Sequence, residues 1–301
     1  ILCGSQTSHC IVNEALDRYG APVYVLHEIV HNTHVIKGLA EKCAIFVKTL
    51  EEIPKGAVTI FSAHGVAQTV EDQAVVLGLN TIDAICPLVS KVHHRVDRLN
   101  KIGYDVLIIG HKGHPELEGT CGRAQGRVQV ISTPEDILNL HVKDPTRVGY
   151  VPQTTLSMDD AAELIDLLKN TFPEISTLDR TDICYATRNR RTLFTTLLEK
   201  WIYFWLWDQK NSSNSNRLRE VAEKSGIQAY LIDHVDEVNP LWLQGAKTIR
   251  VTAGASTPEI LVEELAAWLK AFGLTAVHEI GGVTDLTTFG LPKLPDLVSY
   301  S

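Results

Sequence analysis

Three histidines, His31, His64 and His114, stand at the ends of short apolar runs or in the turns after them, in "LHEIVHN", "IFSAHG" and "LIIGHKGHPELEG". A neutral or cationic imidazole donates hydrogen bonds and titrates near physiological pH, so three of them together would make a basket for phosphate oxygens. Any one alone also reads as a hydrogen-bonded structural histidine. Hydroxyls and an amide join them at two helix starts, Ser212, Ser213 and Asn214 in "KNSSNSNRLREVAEKSG" and Ser256 in "VTAGASTPEIL". Ser256, Pro258 and Glu259 have the spacing of a capping box. Helix N-termini offer unpaired N–H groups and a positive dipole end, so these residues could hold an anion such as a diphosphate. Plain capping is the competing reading. Thr154 ends another apolar run, "YVPQTTLS". Glu116 lies two residues after His114 in what reads as a Gly-bounded loop, where a surface carboxylate is the ordinary expectation. Buried beside the basket instead, it would have a raised pKa and could deliver a proton.

Six cysteines, at positions 3, 10, 43, 86, 121 and 184, are spread along the chain without close pairs, which argues against a disulfide framework. Cys86, before Pro87, and Cys184, in "TDICYATRNR", both sit at element boundaries. Free cysteine is often core, yet at such boundaries a thiolate can reach a metal. Thiolates from separate segments suit an iron–sulfur cluster with one open iron better than a closed zinc site, which usually shows close Cys pairs. A zinc hydrolase built on His and Glu finds no HExxH-type pair to support it.

The elements that must position these groups alternate. Short β-rich runs, such as "APVYVLHE", "GAVTIFSAHG", "YDVLIIGHKGHPE" and "TIRVTAGAST", are separated by helical patterns such as "DAAELIDLLKNTF". That alternation predicts parallel α/β layers with helices on both faces and ligands at the carboxyl ends of the strands. Three segments of similar length each pair a polar strand end with a distant cysteine, suggesting three copies of one α/β unit around a shared centre. With 45% hydrophobic and 21% charged residues, 301 residues can bury a large core. A net charge of -8 argues against a general nucleic-acid binder, though a local basic pocket for a phosphorylated metabolite is compatible with it. The longest apolar run, residues 201–207, is too short to span a bilayer, and no secretory segment opens the chain. The expected setting is therefore cytoplasmic, with no membrane and no nucleic-acid partner. With Ile1 first and Met158 the only methionine, the chain is expected to lack its true start.

With these residues collected, the sequence resembles the 4-hydroxy-3-methylbut-2-enyl diphosphate reductase family, which performs the last step of the non-mevalonate isoprenoid pathway. The segments "HEIVHN", "FSAHGV", "DAICPLVSKVH", "IGHKGHPELEGT", "QTTLS", "DICYAT", "KNSSNSNRL" and "VTAGASTPEIL" occur in the family's order and spacing. The resemblance implies three similar α/β domains with mostly parallel sheets, a pseudo-threefold trefoil around a central cavity. On this sequence the domains fall at 4–86, 87–183 and 184–285 (with 1–3), followed by a tail at 286–301. It also implies a [4Fe-4S] cluster with three Cys ligands and one open iron, Cys86 and Cys184 falling on two of the ligand positions. His31, His64, His114, Ser212, Ser213, Asn214 and Ser256 fall on diphosphate- and substrate-binding positions, Thr154 on the residue that orients the substrate hydroxyl, and Glu116 on the proton donor. A ferredoxin- or flavodoxin-type electron donor and a monomeric enzyme complete the expectation.

Two stretches depart from the family. Where it has "PRGFCAGV-RAI", this chain has "ILCGSQTSHCIV", which leaves Cys3 as the candidate third ligand and Cys10 as its competitor. Before "KNSSNSN" the family has a buried strand and a glycine turn, whereas this chain has "WIYFWLWDQ". Reverse translation in shifted phases permits the family motifs, so paired frameshifts over roughly residues 1–10 and 191–209 are one reading, and a true aromatic edge strand is the other. If the departures are real, the alternative function is a catalytically impaired diphosphate-binding homologue lacking a complete cluster.

Overall fold

The computed structural model describes residues 4–27, 33–156, 158–177, 203–207, 213–246, 248–253, 257, 259–278 and 294–297. The chain forms two compact units, Cys3–Val30 with Ile36–Cys184 and Thr288–Ser301, and Ile1–Leu2 with His31–Val35 and Tyr185–Thr287.

The larger unit opens with helix α1 (Gly4–Tyr19) and carries two parallel sheets. The first is built from β1 (Val23–Leu26), β2 (Ala44–Val47), β3 (Val58–Phe61) and β4 (Asn80–Asp83), in the order β2-β1-β3-β4. The second takes β5 (Asp105–Ile109), β6 (Val128–Ile131), β7 (Val148–Pro152) and β8 (Ser176–Thr177), in the order β6-β5-β7-β8. The smaller unit has β9 (Tyr203–Trp207), β10 (Gln228–Ile232) and β11 (Ile249–Ala253), in the order β10-β9-β11. In each sheet the chain lays a first strand, crosses to one side, then returns to the other. The α/β class with parallel sheets, expected from the alternating pattern, is therefore observed.

Helices α2 (Thr33–Glu41), α3 (Gln68–Val76), α4 (Pro87–Lys101), α5 (Pro115–Arg123), α6 (Pro134–Leu138), α7 (Met158–Thr171) and α8 (Ser213–Lys224) connect the strands, and α9 (Glu259–Ala271) follows β11. Every residue of β3, β5 and β7 is buried, as continuous apolar runs require when helices cover both faces. In β5 the side chains alternate between layers: Val106 and Ile108 pack with Val92, Val96 and Leu99 of α4. Leu107 and Ile109 pack with Leu164 and Leu168 of α7. Each such side chain contributes about 1.5–3 kcal/mol through burial. Helix α4 buries Val89, Val92, His93, Val96 and Leu99, a three-and-four spacing that turns one face to the core.

Strand β9 is flanked on both sides, Trp205 standing in parallel register with Tyr230 of β10 and with Val251 of β11. The aromatic stretch is thus a central strand. The edge-strand reading is corrected, because both backbone edges of Tyr203–Trp207 are paired.

Candidate active site

Parallel strands present their carboxyl ends to one side, and the described candidates gather there in the larger unit. His64 follows β3, Cys86 follows β4, His114 follows β5 and Thr154 follows β7.

His114 is the N-cap of α5, and its extended backbone (φ -78, ψ 133) lets Nδ1 accept the Glu116 N–H at 3.1 Å. This hydrogen bond assigns the neutral tautomer, with the ring proton on Nε2. Pro115 occupies the first turn, where its missing N–H costs nothing. The loop expected around Glu116 is therefore helix. The carboxylate lies in the first turn of α5 and is 2% exposed, so the surface-carboxylate reading gives way to the buried one. The signal was local: a capping residue followed by Pro starts a helix that runs through Gly119 and Gly122.

Thr154, 4% exposed, meets Glu116 twice. Its N–H donates to Oε1 at 2.7 Å and its hydroxyl to Oε2 at 2.8 Å. Hydrogen bonds to an ionised acceptor are the stronger kind, so the carboxylate holds strand end β7 and helix α5 together. Gln153, buried beside them, accepts the His111 N–H at 3.0 Å through Oε1 and donates through Nε2 to the Thr155 hydroxyl at 2.8 Å. Nothing in "PQTT" singles out this glutamine before the fold is known.

The rings of His64 and His114 meet edge to face, with centroids 5.7 Å apart and planes at 83°. Nδ1 of His64 lies 3.4 Å from the Ser62 hydroxyl. Cys86, 7% exposed and not in a disulfide, is the N-cap of α4 with Pro87 in the first turn. Its N–H donates to the carbonyl of Ala63 at 3.0 Å, tying the thiol's residue to the neighbour of His64. A thiol at a helix N-terminus is placed where the dipole favours thiolate, the form that binds metal. The donor chemistry at Cys86 thus fits a metal cluster.

Two turns along α4 from the cysteine lies His93, 4% exposed, with Nε2 lacking a hydrogen-bond partner among the described residues and its pKa lowered to about 4 by burial first, then by the charges of Arg123 and His94. Burial also pushes the Asp83 carboxyl up, Glu71 adding to that shift while an N–H from Ile85 and the charge of Arg123 oppose it. Sequence reading did not single out His93, since its spacing in α4 is that of a core residue.

The structure therefore brings His64, His114, Glu116, Thr154 and Cys86 into one hydrogen-bonded and packed neighbourhood. Ser213 and Asn214 are the first residues of α8. His31, Cys184, Ser212, Ser256 and Cys3 lie outside the described residues.

Residues 3–270 match the model of the family described as LytB protein, and the chain belongs to that family. Among its relatives, a protein of Azoarcus sp. (strain BH72) named 4-hydroxy-3-methylbut-2-enyl diphosphate reductase is 48% identical over 283 residues, covering 94% of this chain and 91% of the relative. The solved structure of the E-1-hydroxy-2-methyl-but-2-enyl-4-diphosphate reductase from Plasmodium falciparum matches with a TM-score of 0.92 at 34% identity, covering 97% of this chain and 93% of that one. A second solved structure, of (E)-4-hydroxy-3-methyl-but-2-enyl diphosphate reductase, described as the terminal enzyme of the non-mevalonate pathway, has a TM-score of 0.66 at 30% identity and covers 90% and 96%.

Proposed function

We propose that this chain removes the allylic hydroxyl of 4-hydroxy-3-methylbut-2-enyl diphosphate, giving isopentenyl and dimethylallyl diphosphate. The balance is simple: two electrons and two protons enter, the C–O bond breaks, a C–H bond forms and water leaves. The observation that carries the reading is the buried Glu116–Thr154 pair set beside the His64–His114 pair at the strand ends.

In this reading the imidazoles of His31, His64 and His114, with Ser212, Ser213, Asn214 and Ser256, hold the diphosphate. Binding energy from that non-reacting group then places the allylic end beside Thr154 and Glu116. With Nδ1 of His114 accepting the cap hydrogen bond, Nε2–H is the ring donor that this reading assigns to the diphosphate. The Thr154 hydroxyl spends its proton on Glu116, so its lone pairs accept the substrate's O–H and orient it. Glu116, once protonated, donates to the Thr154 oxygen, whose own hydrogen turns to the departing oxygen, so one proton crosses the pair and leaves with water. Cys86, with Cys184 and Cys3, would hold a [4Fe-4S] cluster. When bound, such a cluster supplies the electrons and a Lewis-acidic iron. A ferredoxin- or flavodoxin-type carrier delivers those electrons to a cytoplasmic monomer of three α/β domains.

Anaerobic reconstitution followed by turnover with a chemical reductant tests this function. The expected result is a coloured protein with bound iron and sulfide that forms both products. A colourless protein that binds the diphosphate without turning it over would overturn it. Glu116→Gln should lower turnover by about 10²–10⁴-fold while diphosphate still binds; unchanged turnover would remove Glu116 from the acid role.

A further inference from the structure

The loop that carries His64, residues 62–67 between β3 and α3, is held from two sides. Its own repeat supplies the Cys86 N–H to Ala63 and the Gly65 N–H to the carbonyl of Ser62 at 3.1 Å. The other side is α5, from the next repeat. Gly65 adopts φ +76, open to glycine, and presents its carbonyl to Gly119, where a Cβ would lie 3.0 Å away. At Gly122 a Cβ would lie 2.2 Å from the Cβ of Ala67. These two glycines let α5 close onto the loop. Arg123 then fastens it: Nε donates to the carbonyl of Val66 at 2.9 Å, and Nη2 pairs with Glu71 of α3. Glu116, Gly119 and Arg123 are spaced three and four apart, so one stripe of α5 carries the buried carboxylate, the close approach and the fastener.

We infer that Arg123 is a positioning residue for diphosphate binding: it pins the His64 loop to α5, keeps the two imidazoles adjacent, and sets affinity without touching the ligand. The inference rests on the reading of His64 and His114 as diphosphate ligands. The guanidinium serves the two partners through separate nitrogens, Nε and Nη2, held at a fixed spacing that a compact ammonium does not reproduce. Its charge also balances two carboxylates beneath the loop, Glu71 by direct pairing and Asp83 through the field. Without it those two acids repel each other where the loop must seat.

The test is calorimetric titration with inorganic diphosphate on the full chain, as wild type, Arg123→Gln, Arg123→Lys and Glu71→Gln, with Arg123→Gln repeated in a His64→Asn background. Arg123→Gln should weaken binding about tenfold, the equivalent of one charged hydrogen bond. KM for the allylic diphosphate should rise in step, with a much smaller change in kcat. Arg123→Lys should fall between the two, and Glu71→Gln, which leaves the bond to Val66, should lose about threefold, roughly a surface-type ion pair. In the His64→Asn background the effect of Arg123→Gln should shrink below about twofold, since residues acting through one another are not additive. Folded Arg123→Gln with wild-type affinity, or an equal loss in both backgrounds, overturns the inference. If Arg123→Gln does not fold, wild-type affinity in both Arg123→Lys and Glu71→Gln overturns it instead. A wild-type chain that binds no diphosphate sinks the basket reading, and this inference with it.

Discussion

The second and third sheets lay their strands in the same order, yet they are built differently. In the second, every residue of β5 and β7 is buried between α4 on one face and α7 on the other. In the third, β10 has one buried residue, as its counterpart β6 has, but β11 has one where β7 has five, and that one is Arg250. The first strand reads Asp-Val-Leu-Ile-Ile in the second sheet and Tyr-Phe-Trp-Leu-Trp in the third. Three strands in one order thus carry unequal burial where β7, paired with both β5 and β8, corresponds to β11, paired with β9. The strand order is set by right-handed crossovers and chain connectivity, whereas the depth of the core depends on side-chain volumes matched across the layer. The well-packed sheet is also the one whose strand ends hold Glu116 and Thr154 within hydrogen-bond reach. Groups that must stay within a few tenths of an ångström of one another belong on the element least able to move.

The sharpest way to break this comparison is to delete the same kind of volume in both sheets. Ile108→Ala in β5 should cost about 2–5 kcal/mol by chemical denaturation, because a fully buried side chain leaves a cavity. Ile249→Ala in β11, the same deletion, should cost less than about 2 kcal/mol, its site being half-open. Equal losses would mean that the third sheet is packed as tightly as the second.

Acid stability gives the next largest effect. Folded His93 binds its proton less readily than the unfolded chain does, with a pKa of about 4 against 6.5. The stability it contributes is complete above about pH 6.5 and is lost as the pH falls toward 4, at most roughly 3 kcal/mol. His93→Leu should flatten that part of the stability curve; an unchanged slope between those pH values would place the acid sensitivity elsewhere. Smaller again is the glycine contact. Gly122→Ala should cost about 1–3 kcal/mol, since the new methyl meets Ala67 and one of the two segments must move. A neutral result by thermal unfolding would show that α5 and the His64 loop can part without penalty.

Much of the larger unit was legible in the sequence because its signals are local. Cys86 before Pro87 reads as an element boundary and is the N-cap position of α4, and the continuous apolar runs around Ile60 and Ile108 read as strands covered on both faces. Glu116 was misplaced because Gly119 and Gly122 look like loop boundaries, while in the fold they are the points where a helix comes close to another backbone. The pairing of Arg123 with Glu71 spans 52 residues and leaves no local trace. His93 hides in the apolar face of α4, and only burial shows that its imidazole must be neutral. The central position of β9 was likewise not visible, since an aromatic run says nothing about how many neighbours a strand will have.

Placing every described site residue after a strand's carboxyl end leaves the opposite turns with no chemical duty. Pro54 and Lys55, ahead of β3, and Pro145 and Thr146, ahead of β7, are exposed. A reporter grafted there, or a new terminus made by circular permutation, would sit a full strand away from the reaction, about 13–16 Å.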